Sequence, residues 1–247
     1  MDVRYNTIQW VHRSTRGWSY GDAVIDPRTG EILKGHVTLG SLRVRQDYLI
    51  AEGLLASYEE GTPVPDTMEE LVLARLRQLS AHEVGHTIGL AHNFAASVAG
   101  RASVMDYPHP LVTIGDDGKM DLSDAYDTGI GEWDKITIKY GYTDFGTEPD
   151  LEILQNILTD YFTEEKIFIS DRDARPEGGA HPLAHLWDNG NVPVAELRRV
   201  LKVRKLALDR FSERNIPVGE PYSNLEDLLV PIYMFHRYQV DAASKLI

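Results

Sequence analysis

His82-Glu83-Val84-Gly85-His86-Thr87-Ile88-Gly89-Leu90-Ala91-His92 reads H-E-x-x-H-x-x-G-x-x-H. His82 and His86 are four positions apart, so on a helix both imidazoles share one face a turn apart, close enough to hold one tetrahedral zinc ion. Glu83 stands beside the first ligand and can take a proton from water on the open side of the metal. A straight helix would carry His92 away from that face. Gly89 removes the difficulty, because glycine enters the left-handed region at little cost, stops the helix and turns the chain so that His92 supplies a third nitrogen. The chain contains no cysteine, which excludes disulfides, thiolate ligands and thiol catalysis and leaves His, Asp, Glu or Tyr to bind any transition metal.

Upstream, Leu71, Leu73, Leu76, Leu79, Val84 and Ile88 recur near helical spacing, and Asp66 followed by Glu69 has the form of a capping box. The pattern predicts a helix of about 20 residues ending near Gly89. Residues 3–12 are rich in β-branched and aromatic side chains and predict a strand. Asp26-Pro27-Arg28-Thr29-Gly30 predicts a turn joining residues 23–25 to a strand from Glu31 toward Leu39, so that the first 45 residues are mostly sheet. Residues 93–126 are loop-rich, with a turn at Asp116-Asp117-Gly118-Lys119, and a short helix is expected at about 132–140. Beyond Gly146 the pattern holds no strands, only amphipathic helices at about 149–162, 193–214 and 223–245. The Pro-, Gly- and Asp-rich segment 171–192 is either a mobile connection or a loop packed over something.

At 247 residues, 43% hydrophobic and 26% charged, the composition is that of a globular chain. Its formal charge of −13 repels phosphate backbones and anionic lipid, which argues against nucleic-acid binding. No window of 18 apolar residues offers a membrane span, and Met1-Asp2-Val3-Arg4 does not open a signal peptide. A strand beginning almost at the first residue suggests a piece of a longer chain.

The histidine motif resembles that of the metzincin clan of zinc metalloproteases, whose second hallmark is a methionine turn beneath the metal. Ser103-Val104-Met105-Asp106-Tyr107-Pro108 is similar to that turn. The resemblance implies that Met105 underlies the histidines, and that Tyr107 either ligates the metal or stabilises the tetrahedral intermediate; an aromatic merely packed in the turn is the alternative. Residues 26–39 resemble the metzincin hairpin whose second strand forms the upper edge of the cleft, an edge able to bind an extended peptide as an added strand. Residues 134–142 are similar to the helix that closes the clan's C-terminal subdomain. The resemblance covers about residues 3–145. More narrowly the chain looks like poorly characterised bacterial metzincin-like proteins, which implies an exported or cell-envelope location. The helix that precedes the first strand in the clan has no counterpart here.

These readings together predict an α+β fold. Residues 1–146 would form a metzincin-like catalytic domain, with a mixed sheet, an active-site helix and a methionine-turn subdomain. Residues 147–247 would form an all-helical C-terminal region. The expected activity is zinc-dependent endopeptidase. His82, His86 and His92 hold Zn2+, Glu83 is the general base, Tyr107 assists, Gly89 and Met105 shape the site, and a peptide or protein is the substrate. A metzincin fold used as a binding or structural module, and a zinc hydrolase of a non-peptide amide, are the rival readings.

Weaker candidates lie elsewhere. His181 and His185 are four apart but flank Pro182, which argues for a loop over a second metal site. His36 falls on the expected edge strand and reads as no more than a lining residue of the cleft. Asp116, Asp117, Asp121, Asp124 and Asp127 lack calcium-loop spacing and read as a solvated turn region. Trp187-Asp188-Asn189-Gly190 reads as a turn anchored by an aromatic; Met234, Phe235 and Tyr238 read as core; Lys202, Arg204 and Lys205 read as a solvated helix face.

Overall fold

The structure is a computed structural model that describes residues 2–13, 17–58, 63–146, 150–163 and 166–246. A three-stranded sheet opens it, made of β1 (Thr7–Val11), β2 (Tyr20–Ile25) and β3 (Ile32–Gly40) in the order β1-β3-β2. β1 runs parallel to β3, with Thr7 opposite His36, and β2 runs antiparallel, with Ala23 opposite Gly35. The turn at Asp26 closes as its chemistry requires: Gly30 takes φ +77° and donates to the Asp26 carbonyl at 2.8 Å, while the Asp26 carboxylate accepts from the Arg28 amide at 2.9 Å.

One expectation is reversed. β3, the second strand of the hairpin, is paired on both sides, so the free edge toward the helices belongs to β2. β3 is the longer and more buried strand, with Val37, Thr38 and Leu39 all inside, and burial on both faces favours its central place. His36 therefore sits on the middle strand, where its Nε2 meets Thr38 Oγ1 at 3.2 Å, and it does not line the cleft.

The sheet ends where α1 (Ser41–Leu55) begins, directly off Gly40. No apolar stripe announces this helix, because its inward face includes Asp47, Glu52 and Gly53 beside Ala51 and Leu54. Gly53 is needed there: a Cβ would stand 2.5 Å from Ile232 Cγ1. The long helix is α2 (Thr67–Thr87), at the predicted length, but the expected capping box is absent, since the Asp66 side chain caps nothing and its backbone is already helical.

Residues 93–126 are irregular apart from a two-stranded ladder, β4 (Thr113–Ile114) with β5 (Met120–Asp121), around the turn at Gly118. Then come α3 (Glu132–Tyr142), α4 (Asp150–Thr163), the single turn α5 (Asp171–Ala174), α6 (Pro193–Arg210), α7 (Asn224–Tyr233) and α8 (Arg237–Ser244). The helix expected at 223–245 is thus two, and α7 carries Pro231 near its end, where the ring cannot continue a regular helix. Phe235, in the break, is core as expected, whereas Met234 is exposed and Tyr238 half-buried. Lys202 and Lys205 are exposed, but Arg204 clamps α7 by donating to the Tyr233 carbonyl at 2.7 Å.

The largest apolar cluster crosses the 146/147 division: Ala51 and Leu54 of α1 and Met68, Leu71 and Val72 of α2 pack with Val200, Val203 and Ala207 of α6 and Ile232 of α7. The mixed α+β architecture, with small sheets and predominant helices, is consistent with a metzincin-like domain. No helix among the described residues is long and apolar enough to cross a membrane.

Candidate metal centre

α2 ends at the motif. Gly89 adopts φ +89° and donates to the His86 carbonyl at 3.0 Å, while Leu90 donates to the Gly85 carbonyl at 3.0 Å. This pair of bonds is the Schellman closure, and it satisfies carbonyls that a helix end leaves without partners. The chain then doubles back. His92 faces the helix it has just left, and its Nε2 lies 3.2 Å from His86 Nε2, which lies 3.1 Å from His82 Nε2.

All three rings are held from behind. His82 Nδ1–H donates to the Val104 carbonyl at 2.7 Å, His86 Nδ1–H to the Leu90 carbonyl at 2.9 Å, and His92 Nδ1–H to Asp171 Oδ2 at 2.7 Å. With each Nδ1 carrying the proton, each Nε2 presents a lone pair to the common centre. Lone pairs about 3 Å apart, as His86 shares with both His82 and His92, repel unless a cation lies between them. Ligands around a tetrahedral zinc, at about 2.0–2.1 Å, stand roughly 3.3–3.4 Å apart, close to the observed spacing. Burial also keeps the rings neutral: His82, 3% exposed, is pushed down to about 3, and His86 is lowered as well, in both cases chiefly by desolvation. His82, His86 and His92 thus form a group able to hold a metal ion, and among the described residues no other set of His, Asp and Glu does so.

Met105 is fully buried below α2, against Leu90, Val104 and Trp133. Gly85 makes the room, since a Cβ there would run into the Met105 sulfur. The turn is fixed from α3 by Asp134, which accepts from Ser103 Oγ at 2.6 Å and from the amides of Val104 at 2.9 Å and Gly131 at 2.7 Å. Two residues on, the Tyr107 ring stands 4.8 Å from His92 and 5.5 Å from His82, centre to centre. Burial raises its phenol, which stays protonated at neutral pH.

Glu83, 4% exposed, is raised to about 7 by desolvation, against the opposing pull of the Gly21 backbone N–H and the Arg75 charge. That N–H comes from β2. Gly21 can approach only because it has no Cβ, which would overlap the Glu83 carbonyl oxygen. Glu83, the triad and Tyr107 open on one cleft of about 1250 Å³, walled by the start of β2, by one face of α2, by residues 107–110 and by the end of α7.

The chain from Ile169 through Trp187 packs over this centre. The Phe94 amide donates to the Ile169 carbonyl at 2.8 Å, the Trp187 amide donates to the Tyr107 carbonyl at 2.8 Å, and the Trp187 ring lies 5.0 Å from Tyr107. Trp187 takes φ +64°, a conformation rare for an aromatic residue and held here by the packing. Sequence reasoning missed Asp171, the partner of His92, because 79 residues separate the two. His181 and His185 join no metal-capable group among the described residues, nor do the acids at 116–127, where Asp124 instead pairs with Arg101 at 2.6 Å.

Of the three acceptors behind the ligands, only Asp171 is a side chain, so only it can be removed by substitution. Asp171→Asn is expected to weaken zinc binding about 10- to 100-fold, read by competition with a chromophoric chelator. An unchanged affinity would mean that this carboxylate does not orient His92.

A family model described as Met-zincin matches residues 65–247, taking in the triad, Met105 and every helix from α2 onward, and running across the 146/147 division. No curated protein and no solved structure matches the chain.

Proposed function

Because the chain belongs to the Met-zincin family, we propose that it is a zinc-dependent metalloendopeptidase. The observation that carries this reading is the convergence of three Nε2 lone pairs beside a buried carboxylate in an open cleft. A purely structural zinc site is closed by a fourth protein ligand and has no use for a base. Zinc, when bound, supplies Lewis acidity toward the scissile carbonyl and makes water more acidic. Glu83 takes the proton of the attacking water and passes it to the leaving amine, the part of a positioned carboxylate base. Tyr107, its phenol protonated, donates to the carbonyl oxygen as negative charge grows there. Tyr20 and Gly21 on the free edge of β2 border the cleft, so an extended peptide can add there as a further strand.

The test is elemental analysis of purified protein together with cleavage of a denatured protein substrate, with and without chelator. Near one zinc per chain and cleavage abolished by chelator are expected. One zinc without cleavage would favour a binding module, and no zinc would overturn the site.

A further inference from the structure

The cleft reverses the charge of the molecule. In a chain of net charge −13, five arginines line it against three carboxylates. Most of those arginines are answered locally: Arg45 by Asp227 at 2.7 Å, Arg175 by Asp171 at 2.9 Å and Arg43 by Asp47 at 2.5 Å, while the exposed Arg237 donates to the Tyr238 hydroxyl at 2.8 Å. Arg75 is different. It is 3% exposed, and no carboxylate among the described residues pairs with it. Its Nη1 donates to the Gln78 amide oxygen, its guanidinium lies 5.5 Å above the Tyr126 ring, and its buried Nε finds no acceptor. The nearby carboxylate, Asp47, already accepts two bonds from Arg43 and one from the Tyr126 hydroxyl. The deep end of the cleft thus holds two guanidinium groups and one committed carboxylate, with Glu83 near enough to feel the Arg75 charge but making no ion pair with it, and burying such a charge without a direct partner is costly.

Arg75, Leu79, His82 and His86 recur at intervals of three and four and line the same cleft, so they form one face of α2. Seven residues along a helix place Arg75 about 10 Å from His82. One residue step of about 3.8 Å plus the roughly 5 Å reach of an extended glutamate side chain nearly covers that span. We infer that the end of the cleft at Arg75 receives a carboxylate of the substrate, carried by the residue adjoining the scissile bond. The inference rests on the peptidase reading for the position of that bond. The carboxylate has two sources, an acidic side chain or a free chain terminus. A side chain the length of glutamate fits better than aspartate.

Arg75 also has a bracing contact: Gln78, which it bonds, donates to the Val104 carbonyl at 2.9 Å, the same oxygen that holds His82. A brace alone would lower turnover of every peptide equally, whereas carboxylate recognition changes the ratio between peptides.

The experiment uses the zinc-loaded full chain and quenched peptides that differ only in Glu, Asp, Gln or Lys next to the cleaved bond, each made with a free or an amidated C-terminus. Glu is expected to exceed Gln about 10- to 100-fold in kcat/KM, the value of a charge-assisted bond in a dry site. That ratio should fall to within about twofold in Arg75→Met and survive in part in Arg75→Lys. A preference for Glu over Gln retained in amidated peptides assigns the charge to a side chain, and a preference for free over amidated termini shared by the Glu and Gln peptides assigns it to the C-terminus; either supports the inference. Rates that differ neither between Glu and Gln nor between free and amidated termini with the wild-type protein, or a preference unchanged in Arg75→Met, overturn it. Should no peptide be cleaved, the peptidase reading fails separately, and anisotropy titrations of the labelled Glu and Gln peptides decide the inference. Tighter binding of the Glu peptide over Gln, or of free over amidated termini, that depends on Arg75 supports it, and binding indifferent to both overturns it.

Discussion

Glu83→Gln is expected to keep zinc at the wild-type stoichiometry while lowering peptide hydrolysis by about 10³-fold or more. The two halves follow from different atoms. Metal is held by Nε2 of His82, His86 and His92, and their orientation depends on Val104, Leu90 and Asp171, none of which touches the Glu83 side chain through a hydrogen bond. Proton transfer by a positioned base contributes about 10²–10⁴-fold, and an amide of the same shape cannot accept the proton. Gln also fills the same buried space, so no cavity opens.

A control on this reading comes from stability in the metal-free protein. Glu83 has its folded value raised from 4.5 to about 7, mainly by burial. The folded state therefore keeps a proton that the unfolded chain releases, and the stability associated with that proton is complete below pH 4.5 and lost as pH rises through 7. Gln does not ionise. Metal-free Glu83→Gln should accordingly match wild type near pH 4.5 and melt higher at pH 8. Wild-type turnover in Glu83→Gln would remove the general-base role; loss of zinc in the variant would mean that Glu83 supports the ligands instead.

What the sequence made legible at this centre is what local rules encode. Spacing of four puts His82 and His86 on one face, glycine at the end of a helix predicts the turn at Gly89, and the later methionine turn follows from resemblance. The same rules have no purchase on contacts between distant segments. Asp171 reaches His92 across 79 residues, from a segment whose composition suggested a linker. α1 escaped notice because its buried face carries Asp47 and Glu52, groups whose partners Arg43 and Tyr58 make burial tolerable only once the fold exists. The wrong choice of edge strand has the same origin: a hairpin turn fixes which strands pair, but not which side of the pair a third strand will join. Glycines divide along this line too. Gly30 and Gly89 are readable from turn chemistry, whereas Gly21, Gly53 and Gly85 are glycines because another element passes close by.

Gly21→Ala makes that second kind measurable, and a loss of stability of about 3 kcal/mol or more is expected. The added Cβ would overlap the Glu83 carbonyl oxygen and lie 2.8 Å from its carbonyl carbon and 3.1 Å from its Cα. All three are backbone atoms of α2, so no rotamer change relieves the clash, and the cost belongs at or above the usual 1–3 kcal/mol for overpacking. The relief available is for β2 to withdraw from α2. Withdrawal takes the Gly21 N–H away from the Glu83 carboxylate and moves Tyr20 and Gly21, which line the cleft. Hydrolysis should fall even under conditions where the variant stays folded. Zinc content should hold, since the ligands are oriented from other segments. Gly141→Ala is the matched control: it makes the same chemical change inside α3 with nothing within 4 Å of the new methyl group, and should be neutral or stabilising by up to about 1 kcal/mol. Denaturant unfolding of both variants, with metal content and turnover, gives the comparison. Because the Met-zincin match begins at residue 65 and β2 lies before it, the result also bears on the extent of the working unit. A Gly21→Ala protein as stable and active as the Gly141→Ala control would show that β2 does not close over Glu83. The expected loss would mean that residues outside the family match complete the site.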